Sequence, residues 1–179
     1  MFTIVTFCTP EYEDCIEHFE RKCHEFELPY SNIKLSSTGK WGQNTRLKPK
    51  ALISAREHVR GPILYLDIDS LLVNKPVPPS QHKWDIGTIR NPRVEHKTKV
   101  SSQCMWINDT RPALDLLFMW DTIVFHSTAP DHPCLAKALS VAAARGDITL
   151  ITVEETVKKC WKFNGQRPNR SQATLEGAL

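Results

Sequence analysis

The sequence predicts an α/β fold, a three-layer sandwich around a central, mostly parallel sheet. Three observations lead there. Strand and helix signals alternate along the chain, the pattern of strands joined by crossover helices. The run Ile63-Leu64-Tyr65-Leu66 is unbroken apolar chain, as in a centre strand covered on both faces. With 179 residues, 41% hydrophobic and 24% charged, the chain can build one domain with a buried core and is not disordered throughout.

Ile4 to Phe7 is expected to be the first strand. Thr9-Pro10-Glu11 then offers an N-cap, a proline at the first helical position and an early acid. The following helix sets Tyr12, Cys15, Ile16, Phe19, Cys23 and Phe26 on one face, and Pro29 ends it. Residues 31–45 are polar and read as a loop with a short strand near Ile33 to Leu35. A helix from Pro49 to Arg60 turns Ala51, Leu52 and Ala55 inward and stops at Gly61-Pro62. The central strand runs from Ile63 to Asp69, and Asn74 to Pro79 turns the chain away from the sheet. Two weaker strands, Asp85 to Ile89 and Gln103 to Ile107, flank a basic, polar stretch from Arg90 to Ser102. Ala113 to Val124 is an amphipathic helix. Asp131 reads as the N-cap of a helix that runs to Arg145 and closes at Gly146, and Asp147 to Val153 is the last strand. Residues 1–161 are expected to form a single domain and 162–179 a polar tail, with no internal repeat and no dividing linker.

Composition narrows the function. The net charge of +3 is too mild for a nucleic-acid binder. No apolar run reaches the 18 residues of a membrane span. The start, Met1 to Phe7, lacks the basic region and long apolar stretch of a secretory signal, and the six cysteines form no Cys-x-x-Cys pair. Reduced thiols and a cytoplasmic location are the expectation. Residues 1–30 carry seven acids and two bases, whereas Ser31 to Arg60 holds seven bases against Glu57 alone. That basic segment reads as a solvated face or as a lip for a small polyanion such as a diphosphate. There is no Gly-x-Gly-x-x-Gly after the first strand, no Walker-type loop, no Gly-x-Ser-x-Gly elbow and no His-x-x-x-His face.

The chemistry concentrates at Asp67-Ile68-Asp69. Two carboxylates two residues apart leave a strand on the same side, and oxygen ligands there suit a hard cation. Open α/β sheets bind ligands beyond the carboxyl ends of their strands, where this pair falls. Trp41 and Trp84 lie in loop-like contexts where an aromatic face could pack on a sugar ring, while Trp106 and Trp120 read as core.

The segment Gly61-Pro62-Ile63-Leu64-Tyr65-Leu66-Asp67-Ile68-Asp69-Ser70, followed by Asn74-Lys75-Pro76, resembles the Asp-x-Asp region of GT-A-type glycosyltransferases, the glycogenin-related nucleotide-diphospho-sugar transferases. Lys48-Pro49-Lys50, Ser101 to Asn108 and Asp131-His132-Pro133-Cys134-Leu135 follow in the order of that family's segments, so the resemblance spans residues 2–151. It implies a GT-A-like fold and a metal-dependent enzyme that binds a nucleoside-diphosphate sugar, UDP-sugar favoured, and transfers the sugar to an unknown acceptor. Asp67 and Asp69 would hold Mn²⁺ or Mg²⁺ against the diphosphate, with Ile68 between them. Thr6, Cys8 and Thr9 would border the nucleoside, Tyr12 would stack on its base, and Arg46 and Lys50 would meet the pyrophosphate. Asp131 and Asp85 are the candidate catalytic carboxylates.

The chain departs from the family pattern in three respects. It is short, it has no counterpart of the later metal-binding histidine, and the usual Asp-Gln pair is Asp131-His132. These departures keep a non-catalytic nucleotide-sugar-binding module as an alternative, and leave a second copy of the chain as one source of a completed acceptor half. The string Asp67-Ile68-Asp69-Ser70 also partly matches haloacid-dehalogenase-type phosphatases, whose first aspartate is a nucleophile. That motif usually opens its fold, whereas here a strand, a helix and a basic segment come first.

Overall fold

The computed structural model describes residues 1–80, 83–90, 100–153 and 161–163, with residues 90 and 161–163 through their backbone alone. The basic stretch 91–99, Cys160 and the tail beyond residue 163 lie outside the described residues. The strands are β1 (Thr3–Cys8), β2 (Tyr30–Lys34), β3 (Ile63–Leu66), β4 (Ser70–Leu72), β5 (Ile86–Arg90), β6 (Val100–Ile107), β7 (Leu150–Thr152) and β8 (Trp161–Phe163). The α-helices are α1 (Glu13–Glu25), α2 (Trp41–Asn44), α3 (Lys48–His58), α4 (Arg111–Phe125) and α5 (Asp131–Arg145), with short 3-10 turns at Pro10–Tyr12 and Thr45–Leu47.

Six strands form the main sheet in the order β2-β1-β3-β6-β5-β7. The pairs β1–β2, β1–β3 and β5–β7 are parallel, and β6 runs antiparallel to both of its neighbours. Five strands therefore share one direction and β6 alone opposes them. A separate antiparallel ladder pairs β4 with β8.

The central strand behaves as its composition dictates. Ile63 to Leu66 are at most 1% exposed. Ile63 and Tyr65 join the core under α3, α4 and α5, while Leu64 and Leu66 join the opposite core under α1. Burying an aliphatic side chain of this size stabilises by roughly 1.5–3 kcal/mol. The predicted apolar face of α1 packs on that second core through Phe19 and Cys23, with Tyr12, Cys15, Ile16 and Phe26 beside them. Proline does not end this helix. The Leu28 amide donates to Cys23 O at 2.9 Å and the Glu27 amide to His24 O at 3.0 Å, with Glu27 at φ 53°. This is a Schellman closure, complete before Pro29 is reached.

Gly146 closes α5 in the left-handed region (φ 72°), as its type predicts. Gly87 is needed for space: a Cβ there would stand 2.9 Å from Val153 Cγ1 and 3.1 Å from Trp106 Cβ. Trp106 and Trp120 are core, and so is Trp84 at 7% exposure, which removes it as a sugar platform. Among the described residues no helix is long and apolar enough to cross a membrane.

Candidate active site

The carboxyl ends of β1 and β3 open on a cavity of about 520 Å³. β1 and the turn after it contribute Phe7, Cys8, Thr9 and Tyr12; α2 and the start of α3 contribute Trp41, Asn44 and Lys48. The end of β3 adds Tyr65, Asp67, Ile68 and Asp69, β6 adds Gln103, and the start of α5 adds Pro130 to Pro133. Trp41 is half exposed (52%) on its lip.

Asp67 and Asp69 both line this cavity, although not as alternate residues of a strand. β3 ends at Leu66, and the Asp67 amide continues the ladder by donating to Gln103 O at 2.9 Å. The Ser70 amide then donates to Asp67 O at 2.9 Å, which closes a tight turn over Ile68 and Asp69. Asp67 is already engaged. Its Oδ1 accepts from the Tyr65 hydroxyl at 2.6 Å and pairs with Lys48 Nζ at 2.8 Å.

Lys48 is the hub of the site. Its ammonium, 3% exposed, lies 2.8 Å from Asp67 Oδ1 and 3.0 Å from Asp131 Oδ2. It also donates to Ser102 O at 3.1 Å and to Ser102 Oγ at 3.2 Å. Burial works against its charge, but Asp131 and Asp67 outweigh burial and raise its pKa above the ordinary ammonium value. Burial likewise opposes ionisation of Asp131. Lys48 foremost, then His132 and the Ser102 hydroxyl, overcome it and hold the carboxyl below the usual range. Tyr65 is driven the other way, its phenol raised well above 10 by burial and then by the Asp67 charge.

Asp131 is not an N-cap. The cap position is Pro130, and Asp131 is the first residue of α5, its carboxylate turned into the sheet toward Lys48 and the Ser102 hydroxyl. The Trp120 indole fixes its backbone by donating to Asp131 O at 3.2 Å. His132 packs beside it: Nδ1 accepts from the Ser102 amide at 3.3 Å and touches the Ser102 hydroxyl. An accepting Nδ1 puts the proton of the neutral ring on Nε2. Burial lowers the His132 pKa, partly offset by Asp131, so the ring is neutral near pH 7.

Several sequence-predicted residues fall elsewhere. Asp85 sits before β5, at the edge of the sheet opposite the cavity. Its carboxylate accepts from the Thr110 hydroxyl at 2.6 Å and the Thr149 amide at 2.8 Å, joining the start of α4 to the chain before β7. Thr6 is fully buried and does not reach the cavity wall. Lys50 is exposed on α3, one residue pair beyond Lys48 and outside the cavity lining. Arg46 points away: its guanidinium donates to Val124 O and Ser127 O at the end of α4. That helix has no basic residue in its last turn, so Arg46 supplies the cation its carboxyl end attracts. Cys8, Thr9, Tyr12, Asp67, Ile68, Asp69 and Asp131 do line the cavity. In the sequence Lys48, Ser102 and His132 stand out only as members of segments, His132 as the departure from the usual Asp-Gln pair, and none has an assigned role; their distance along the chain from the Asp-x-Asp turn hid the convergence.

Among the described residues no group of three His, Cys, Asp or Glu side chains could enclose a cation. Two adjacent carboxylates instead suit a hard cation that shares its coordination with substrate phosphates and water, the usual way Mg²⁺ is held. The cavity's formal charge supports that fit. Asp67, Asp69 and Asp131 give −3 against +1 from Lys48, with His132 neutral, a net −2.

No family model matches the sequence, and no curated protein sequence matches it. Solved structures do. A glycosyltransferase involved in the glycosylation of the major capsid of PBCV-1 superposes with a TM-score of 0.67 over 96% of this chain and 98% of its own, at 13% identity. The apo form of glycosyltransferase GlyE from Streptococcus pneumoniae TIGR4 gives 0.52 at 10% identity, over 83% of this chain and 44% of GlyE. A mutant of Drosophila β1,4-galactosyltransferase 7 in complex with manganese, UDP-Gal and xylobiose gives 0.53 at 10% identity, over 97% of this chain and 79% of that one. The chain has a GT-A-like glycosyltransferase fold. The PBCV-1 enzyme, matched over nearly its whole length, has this fold at about the same size.

Proposed function

We propose that this chain binds a nucleoside-diphosphate sugar, UDP-sugar first among them, together with Mn²⁺ or Mg²⁺, and transfers the sugar to an acceptor. The observation that carries the reading is the turn holding Asp67 and Asp69 against one cavity with the buried Asp131–Lys48 pair. Among the described residues, the basic side chains lining that cavity are Lys48, saturated by its own carboxylates, and His132, neutral. A diphosphate entering a pocket of net −2 therefore needs a cation brought with it. One structural neighbour is a complex with manganese and UDP-Gal, which agrees in kind. A bound divalent cation would offset the charge that develops on the departing nucleoside diphosphate. Asp69, with Asp67 beside it, would hold that cation; Cys8, Thr9 and Tyr12 at the end of β1 would flank the nucleoside; Trp41 would close the lip.

Asp131 takes an electrostatic role in this reading. A carboxyl held below its usual range is a poor proton acceptor near neutral pH, so it is ill-suited as a general base. It keeps a fixed negative charge facing the sugar carbon that turns electron-poor as its bond to the diphosphate breaks.

The Lys48–Asp67 ion pair favours one second reading, a module that binds a nucleotide sugar without turning it over. Incubation with a panel of nucleotide sugars separates the two. The transferase releases nucleoside diphosphate and sugar slowly even without acceptor, and only with metal present. Metal-dependent binding with no release under any condition would leave the module. The phosphatase alternative gains nothing from the site, since Asp67, its required nucleophile, is paired with Lys48 and Tyr65.

A further inference from the structure

Resting on the reading of the cavity as a donor site, we propose that Tyr65 is a positioning residue for the cation. Its buried hydroxyl, acting with Lys48, fixes the Asp67 carboxylate so that a single oxygen, Oδ2, is left for a divalent ion. Both donors converge on the other oxygen: the Tyr65 hydroxyl reaches Asp67 Oδ1 at 2.6 Å and Lys48 Nζ reaches it at 2.8 Å. Asp67 lines the cavity with 21% of its side chain exposed, so this carboxylate spans the boundary between core and site.

The sheet sets the place of that hydroxyl. Tyr65 is fully buried in the centre strand, with Val5 of β1 on one side and Met105 of β6 on the other. The Phe7 ring stacks on it at 17° with centroids 6.5 Å apart, and Lys48 Nζ stands 5.4 Å from its centre. Residues two apart along a strand project to the same side, and the Asp67 amide continues the β3 ladder, so Tyr65 and Asp67 face the same way. Burial holds the phenol well above its ordinary range, so it keeps its proton and always donates to the carboxylate. Lys48 cannot fix Asp67 alone, because its hydrogens are shared with Asp131 and Ser102. Without the phenol, Asp67 can rotate about its Cβ–Cγ bond and turn both oxygens to the ammonium, which withdraws Oδ2 from the cavity. Groups that orient a metal ligand from behind are worth about 10–100-fold in metal affinity.

The test is an electron paramagnetic resonance titration of Mn²⁺ in the presence of UDP, which counts bound metal directly. It is run on the unsubstituted full chain, Tyr65→Phe and Met105→Leu. Tyr65→Phe deletes one oxygen, keeps the ring and leaves Asp67 paired with Lys48. Met105→Leu repacks the core beside Tyr65, outside the cavity lining, and keeps the hydroxyl. We expect the Mn²⁺ midpoint to rise about tenfold in Tyr65→Phe and to stay in place in Met105→Leu, whatever either change does to the melting temperature of the ligand-free chain. An unmoved midpoint in Tyr65→Phe, or an equal shift in Met105→Leu, overturns the assignment. If the unsubstituted chain retains no Mn²⁺ with UDP, the donor-site reading itself fails, and the two failures are thereby told apart.

Discussion

Lys48 presents three hydrogens to two carboxylates, a carbonyl and a hydroxyl, all within 3.2 Å. Removing one partner of such a buried pair costs about 3–5 kcal/mol, because the other charge is left uncompensated. Lys48→Met should lower stability by that order in urea denaturation, and adding Asp131→Asn should recover a good part of it. Equal stability of Lys48→Met and the unsubstituted chain would contradict the network. Acid acts on the same cluster. His132 and Asp131 both have folded pKa values below their ordinary 6.5 and 3.8, so the unfolded chain binds more protons as pH falls. Stability should be flat at neutral pH, decline below 6.5 as the unfolded chain's histidine titrates, and decline again below 3.8. His132→Asn should remove the first step of a melting-temperature profile; an unchanged profile would contradict it. These residues explain what the sequence could and could not tell. Asp67 and Asp69 are neighbours after an apolar run, so their meeting was readable. Lys48, Ser102 and His132 are remote from them in sequence and meet only through the fold.

Single elements show the same division. The four long helices and most strands were readable from apolar spacing, because burial on one face leaves a periodic trace, whereas α2, a single turn at Trp41–Asn44, falls in the stretch read as a loop. Strand direction was not: nothing in the residues of β6 marks it as reversed, and its register with β3 and β5 shows it running antiparallel to both. Arg46 was misread for a related reason. Residue type and position cannot distinguish a guanidinium aimed at a phosphate from one aimed at the carbonyl end of a helix. Asp85 was misread similarly, as a carboxylate at a strand start serves a chain crossing as readily as a substrate. The corrected role of Arg46 has a consequence. Arg46→Met should destabilise the end of α4 by about 1–3 kcal/mol by leaving two carbonyls without their donor. Hydrogen exchange of the amides in the last turn of α4 should quicken, and unaltered exchange there would refute the capping role.

At the scale of the molecule, a sheet with five co-directional strands brings the ends of β1 and β3 to one edge, and α3 and α5 close the cavity from the side. The fold class was readable because alternating strands and helices leave few ways to cover both faces of a sheet. The site's electrostatic character was not, since it depends on where each base turns: of the bases described between Ser31 and Arg60, Lys48 lines the cavity while Arg56 is buried away from it on Gly61 O and Ile107 O. The central claim is that the carboxylates of this cavity bind a nucleoside diphosphate only in company with a divalent cation. Thermal denaturation with UDP, with and without Mn²⁺, tests it most directly. At a hundredfold excess over the dissociation constant, the account predicts about 2.7 kcal/mol of stabilisation with both present. It predicts none with UDP alone, and none for Asp69→Asn with both. Equal stabilisation by UDP in the presence of a chelator, or a full shift in Asp69→Asn, would contradict it.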